Sequence, residues 1–264
     1  MYSGHPMGTK IRQRHTKSPL KNKPLRTPGQ SLEDQLDEVL MEKTFLWVLL
    51  PIFFALMSVP ELLRKLLGVE LGPLPFLSLA VASVPVIWWR IRRSLPQIRQ
   101  MRQGIEGEQV VGQSLERLRV TGYEVFHDIP GDGHNIDHVL VGPGGVFAIE
   151  TKTISKPAGD QRVFFDGECV TVAGFKPDRN PIGQVRAAAK EVSDIIRERA
   201  GLEISVKPVV LYPGWFTQSS GKSDVWVLNE NAFPKWLDNE DERLTDSQIR
   251  QISSGIARHV WDGE

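Results

Sequence analysis

Residues 135–152, NIDHVLVGPGGVFAIETK, place Asp137, Glu150 and Lys152 at a spacing that suits phosphodiester chemistry. Apolar residues alternate on either side of Gly142, Pro143, Gly144 and Gly145, which predicts an antiparallel hairpin with a four-residue loop. In that register Val141 opposes Val146, Val139 opposes Ala148, and Asp137 falls across from Glu150, with Lys152 further along the same face. Cross-strand neighbours have Cβ atoms ~4.5–5.5 Å apart, so two carboxylates there repel unless a cation lies between them. Oxygen donors of this kind suit Mg²⁺ or Mn²⁺, which bind through one or two carboxylates and keep several waters. Such an ion activates water and stabilises a phosphoryl oxygen, and Lys152 adds a positive group beside the attack. The plainer alternative is a solvated hairpin on which Lys152 neutralises Glu150. Flanking Ile136, Val139, Val141, Val146, Phe147 and Ile149 favour buried strands, where unpaired carboxylates are costly.

Two further residues fit around this pair. Glu108 shares a helical stripe with Val111, Leu115 and Leu118, which puts an acid on an apolar face; placement near the positive end of the helix dipole is the alternative. Gln184 lies one turn into a helix capped by Asn180 with Pro181 at its first position, where its amide could orient a water or a phosphate oxygen. Glu116 lies off the stripe and reads as solvated. His134 and His138 lack the helical geometry of a two-His zinc site, and His127 reads as structural or exposed. Gly131-Asp132-Gly133 reads as a turn, and Cys169 as a small apolar filler.

The elements that must position these groups form an α/β domain over residues 104–264. The pattern gives a helix at 106–120, strands at 123–129, 135–142 and 145–153, and a hairpin over 162–173 turning at Asp166-Gly167. A helix opens at Asn180, strands follow at 207–212 and 224–228, and helices lie near 231–238 and 246–261, the last opened by a Thr245–Gln248 capping box. The chain has 264 residues, 41% hydrophobic and 24% charged, enough for a real core and unlike a disordered or collagenous chain. One cysteine excludes an internal disulfide.

The formal charge of zero hides an asymmetry. Residues 1–103 carry 15 Lys+Arg against 7 Asp+Glu, leaving 17 against 25 for residues 104–264. A net-acidic second half lacks the broad basic footprint of an affinity-driven nucleic-acid binder, so such a partner must meet a local patch or bound cations. Residues 1–43 read as a disordered basic tail. The apolar runs 44–60 and 71–89 contain no charged residue and approach the ~20 residues of a membrane-spanning helix, with Trp47, Trp88 and Trp89 near their ends. Flanking arginines and lysines then place both termini in the cytoplasm, with a transmembrane hairpin in the inner membrane and a basic linker over 90–103.

Gly107-Glu108 opening a helix, Asn135-Ile136-Asp137-His138, Gly145-Val146-Phe147, Ile149-Glu150-Thr151-Lys152, and Asn180-Pro181 followed by Gln184 resemble the nuclease-related domain, NERD. That family resembles the PD-(D/E)xK superfamily of restriction-endonuclease-like folds. The resemblance covers roughly residues 104–215 and implies a mixed sheet flanked by helices. It matches Asp137, Glu150 and Lys152 to the family's Asp and Glu-x-Lys positions, and Glu108 and Gln184 to its outer acidic and Gln positions. Ile136 stands where the wider superfamily has Pro, which removes no ligand.

The combined expectation is a membrane-anchored, Mg²⁺- or Mn²⁺-dependent phosphodiesterase that cleaves nucleic acid, DNA foremost. Asp137, Glu150 and Glu108 would hold the metal, and Lys152 and Gln184 would assist. The alternative is a non-catalytic module of the same fold that binds nucleic acid or protein at a membrane.

Overall fold

The computed structural model describes residues 25–66, 68, 74–157 and 162–263. The helical N-terminal part comprises α1 (Gln30–Leu40), a π-helical turn (Met41–Phe45), α2 (Leu46–Leu66) and α3 (Leu74–Glu116), which closes in a 3-10 turn (Arg117–Thr121). Next come β1 (Glu124–Pro130), β2 (Asn135–Gly142), β3 (Gly145–Thr151), β4 (Arg162–Phe165) and β5 (Val170–Val172). The chain continues through α4 (Pro181–Ala200), β6 (Val206–Leu211), β7 (Phe216–Ser219), β8 (Trp226–Leu228), α5 (Phe233–Leu237) and α6 (Asp246–Asp262).

A mixed five-stranded sheet runs β1-β2-β3-β6-β8, antiparallel from β1 to β3 and parallel from β3 to β8. The parallel connection from β3 to β6 needs a crossover, and α4 supplies it, packing on both strands. Alternation sorts the strand residues between two layers. Val139, Val141, Val146 and Ala148 pack with Val192 and Ile196 of α4 and Ile252 and Ile256 of α6. Leu140, Phe147 and Ile149 face the other way, against Val111 and Leu115 of α3 and Phe233 of α5. A smaller sheet, β5-β4-β7, closes a third cluster against Val210 and Tyr212. The fold is α/β, as the pattern anticipated, with mixed sheets flanked by helices, as the family resemblance implied.

The N-terminal third departs from expectation. Residues 30–40, inside the stretch read as a disordered tail, form α1, whose Leu36 packs with Ile98 and Ile105 of α3. Residues 1–24, with most of the tail's basic side chains, lie outside the described residues. Among the described residues no helix is long and apolar enough to cross a membrane. The run expected to end at residue 60 continues to Leu66 and holds Pro51 and Pro60, and the run expected to end at residue 89 passes unbroken through Arg90, Arg92, Arg93, Arg99 and Arg102. These charges lie within the helix rather than in a linker beyond it, and Arg90 stacks over Trp47 of α2 at 4.2 Å. The expected transmembrane hairpin and the inner-membrane placement with cytoplasmic termini therefore do not hold.

Candidate functional site

The β2–β3 ladder pairs His138 with Ile149, Val139 with Ala148, Val141 with Val146, and Gly142 with Gly145. One step beyond its open end, Asp137 falls opposite Glu150, in the register the alternation predicts. The turn is tighter than expected, with Pro143 and Gly144 alone between the paired glycines and Gly145 at φ 126°. Asp137 and Glu150 continue the face occupied by Val139, Val141, Val146 and Ala148. The Thr151 N–H donates to Asp137 Oδ2 at 2.7 Å. Lys152 Nζ donates to Glu150 Oε1 at 2.5 Å, both side chains being largely buried.

On the far side of β3, Glu150 is in register with Val210 of β6, two residues before Tyr212. Val210 and Tyr212 pack with Ile182 and Val185, so the first turns of α4 lie against this end of the sheet. The helix opens there because Asn180 Oδ1 accepts the N–H groups of Ile182 (3.1 Å) and Gly183 (3.2 Å), while Pro181 needs no donor partner. Gln184 Oε1, Tyr212 Oη and Thr151 Oγ1 are all buried without a hydrogen-bond partner. Buried polar groups are nearly always satisfied, so the unpaired Gln184 and Tyr212 oxygens fit a polar ligand on the Glu150 face, whereas Thr151 faces the other side of β3 with Leu211.

Glu108 lies on the buried stripe of α3 with Val111 and Leu115, and is 8% exposed. Its carboxylate lies beside Gly29, where a Cβ built on the glycine would sit 3.7 Å from Glu108 Oε2. Burial first, and then the charges of Asp128 and Glu150, push the Glu108 carboxyl up to about 7. Burial, then Glu150 and Glu108, push Asp137 well above the usual carboxylate range, and Lys152 pulls both down. Three acids from α3, β2 and β3 thus share one electrostatic environment.

This arrangement fixes a pH response. An acid whose pKa is raised on folding stabilises the fold fully below its unfolded value, and that contribution is lost as pH rises through the folded value. For Glu108 the loss falls between about 4.5 and about 7. Urea unfolding without divalent cations should therefore show falling stability across this window, and Glu108→Gln should flatten the slope. An unchanged slope in the variant would assign the titration elsewhere.

As the side chains stand, no group of three or more His, Cys, Asp or Glu among the described residues is gathered to hold a metal ion. The donor chemistry nevertheless fits a hard cation. The donors are all oxygen, the acids repel one another, and magnesium commonly takes only one or two protein carboxylates. Histidines are excluded from this role: His134 Nε2 lies 3.3 Å from Glu191 on the surface, and His138 is fully buried with its Nδ1 2.9 Å from His127 Nδ1. Burial holds both His127 and His138 below the ordinary imidazole range. Glu116 is not merely solvated, because it pairs with Arg119 and with His127 Nε2. Cys169 is exposed rather than a core filler.

Two residues around this site escaped sequence reasoning. Tyr212 ends an apolar strand with the parity of Val210, a signal that was present but unused. Asp128 is an acid inside the buried strand β1 and is 1% exposed. Residues 103–213 match the family model described as the nuclease-related domain, NERD. No curated protein and no solved structure matches the chain.

Proposed function

We propose, with the nuclease-related domain at residues 103–213 as the premise, that the chain is a divalent-metal-dependent phosphodiesterase acting on nucleic acid, DNA foremost, on a restriction-endonuclease-like sheet. The observation that carries this reading is the β2–β3 register, which sets Asp137 across from Glu150 with Lys152 bonded to Glu150. Asp137, Glu150 and Glu108 are the residues that would hold Mg²⁺ or Mn²⁺. When bound, the ion supplies Lewis acidity and lowers the pKa of water for attack at phosphorus. Lys152 supplies a positive charge for a phosphoryl oxygen as negative charge builds there. Gln184 Oε1, an unpaired acceptor, takes an O–H and so orients water. The excess of acids in residues 104–264 makes the cation part of substrate capture as well, since it offsets repulsion of phosphate.

A second reading has its own support. The Lys152–Glu150 pair already neutralises one acid, which suits a non-catalytic nucleic-acid or protein binding module. The purified full chain, incubated with single- and double-stranded DNA and RNA plus Mg²⁺, Mn²⁺ or chelator, separates the two. The expected result is metal-dependent cleavage that Lys152→Met reduces about a hundredfold or more. Folded protein that neither cleaves nor binds Mn²⁺ by calorimetry favours the binding module.

A further inference from the structure

The small sheet buries one face and leaves the other open. Alternation along β4 turns Val163 and Phe165 inward, where they pack with Val210, Tyr212 and Trp215, and leaves Arg162 and Phe164 on the outer side. In the β4–β7 register Arg162 stands beside Phe216 and Phe164 beside Gln218, while Phe164 meets Thr171 of β5 on its other flank. Phe216 is 62% exposed and Phe164 38%. Single exposed apolar residues are ordinary. Here two phenylalanines occupy neighbouring strands of one open face, their Cα atoms about 8 Å apart by strand spacing and rise, so they form one aromatic surface.

This face adjoins the proposed site. Trp215, immediately before Phe216, donates its indole N–H to the Ile154 carbonyl at 3.0 Å, and Asn229 Nδ2 donates to the Trp215 carbonyl at 3.1 Å. Phe216 is therefore held beside the chain that leaves β3 just after Lys152. Charge along the face is sorted by end. Lys156 Nζ lies 5.7 Å from the centre of the Trp215 ring and Arg162 stands beside Phe216, so positive side chains mark the end nearest Lys152. Asp166 and Glu168 sit at the opposite turn, where Asp166 Oδ1 accepts the N–H groups of Glu168 and Cys169. Glu230, which lines one hollow with Lys156 and Phe216, takes the Gly214 N–H at 2.9 Å.

We propose that Phe164 and Phe216 form a stacking platform for the unpaired bases of single-stranded nucleic acid, with Arg162 and Lys156 holding its phosphates and leading the strand toward Asp137 and Glu150. This deepens the nuclease reading, and rests on it, by naming a single strand as the substrate form. Every base has a π face, so aromatic side chains on an open sheet bind bases without reading their sequence. In a duplex those faces are covered by neighbouring base pairs, and the platform has nothing to stack on. A positive end confined to this face also suits the net-acidic second half of the chain, since a strand tracked by a few cations needs a patch rather than a broad basic surface.

The test titrates the full chain, in chelator, against a fluorescein-labelled single-stranded oligodeoxynucleotide, the duplex made from it and an abasic oligonucleotide of equal length, with anisotropy as the readout. The single strand should bind best. Phe164→Ala and Phe216→Ala should each weaken it about fivefold or more, Phe164→Tyr and Phe216→Tyr should restore it, and the abasic strand should not distinguish parent from variants. Phe175→Ala removes a phenylalanine that is 76% exposed but pairs with Val172 of the buried face, and should leave binding unchanged. Preference for the duplex, unchanged affinity in both alanine variants, or an equal loss in Phe175→Ala would overturn the platform. So would self-association of the parent that Phe216→Ala abolishes, which would make this face a contact between copies. A parent that binds the single strand yet never cleaves it with Mg²⁺ or Mn²⁺ upholds the platform and overturns the phosphodiesterase reading alone.

Discussion

An Asp137→Asn protein is expected to lose metal-dependent cleavage by about a hundredfold or more and yet to melt at a higher temperature than its parent. The substitution keeps shape and an oxygen acceptor for the Thr151 N–H, which now bonds Asp137 Oδ2 at 2.7 Å. It removes a negative charge that burial, Glu150 and Glu108 all oppose. Relief of even one pKa unit of that opposition is worth about 1.4 kcal/mol, which in a chain of this size moves the melting temperature by a few degrees, roughly 2–4 °C per kcal/mol. The gain should be visible at pH 8 without metal. It should shrink at acid pH, where Asp137 is protonated in the folded parent and carries no charge to relieve. Cleavage kinetics and thermal unfolding of both proteins provide the check. Retained activity would remove Asp137 from the site, whereas lower stability at pH 8 would mark it as a structural anchor.

Gly107→Ala should destabilise the fold by about 1–3 kcal/mol, although glycine to alanine within a helix normally stabilises by up to ~1 kcal/mol. The sign reverses because α3 passes unusually close to the chain leaving β3. A Cβ at Gly107 would lie 1.6 Å from Thr153 Oγ1 and 2.7 Å from Thr153 Cβ. Rotation of the hydroxyl relieves the first overlap but not the second, so the helix must separate from the strand end. Gly107 immediately precedes Glu108, and Thr153 immediately follows Lys152, so the same separation pulls Glu108 away from Glu150. Removing the opposing side chain with Thr153→Gly should recover part of the loss. Urea unfolding of the two single variants and the double variant should give a coupling above about 0.5 kcal/mol. Simple additivity would show that the close approach carries no energetic weight.

Much of the sheet centre was legible because strand parity is binary. Once Val139, Val141, Val146 and Ala148 share a face, Asp137 and Glu150 must follow, and an error in loop length that keeps the hairpin symmetric leaves the pairing unchanged. Helix starts were legible for a similarly local reason: the Asn180 cap and the Thr245–Gln248 box satisfy backbone donors from within their own turns. β7 was missed because Phe216–Ser219 is a largely exposed edge strand with no apolar alternation to report it. α1 was obscured by its charge, although Leu32, Leu36, Val39 and Leu40 have helical spacing; that face becomes meaningful only beside Ile98, Met101 and Ile105 of α3. The contacts of Asp128 with Arg26 and Ser31 depend on this long-range docking, so no local pattern announces them.

The unbroken course of α3 from Leu74 to Glu116 has a mechanical consequence. At 1.5 Å per residue it spans about 64 Å, and Trp88 and Glu108 lie about 30 Å apart along it. Pro96 lies between the two and removes a backbone hydrogen bond inside the helix, so the tryptophan and the acid sit on one continuous helix that carries a built-in bend point between them.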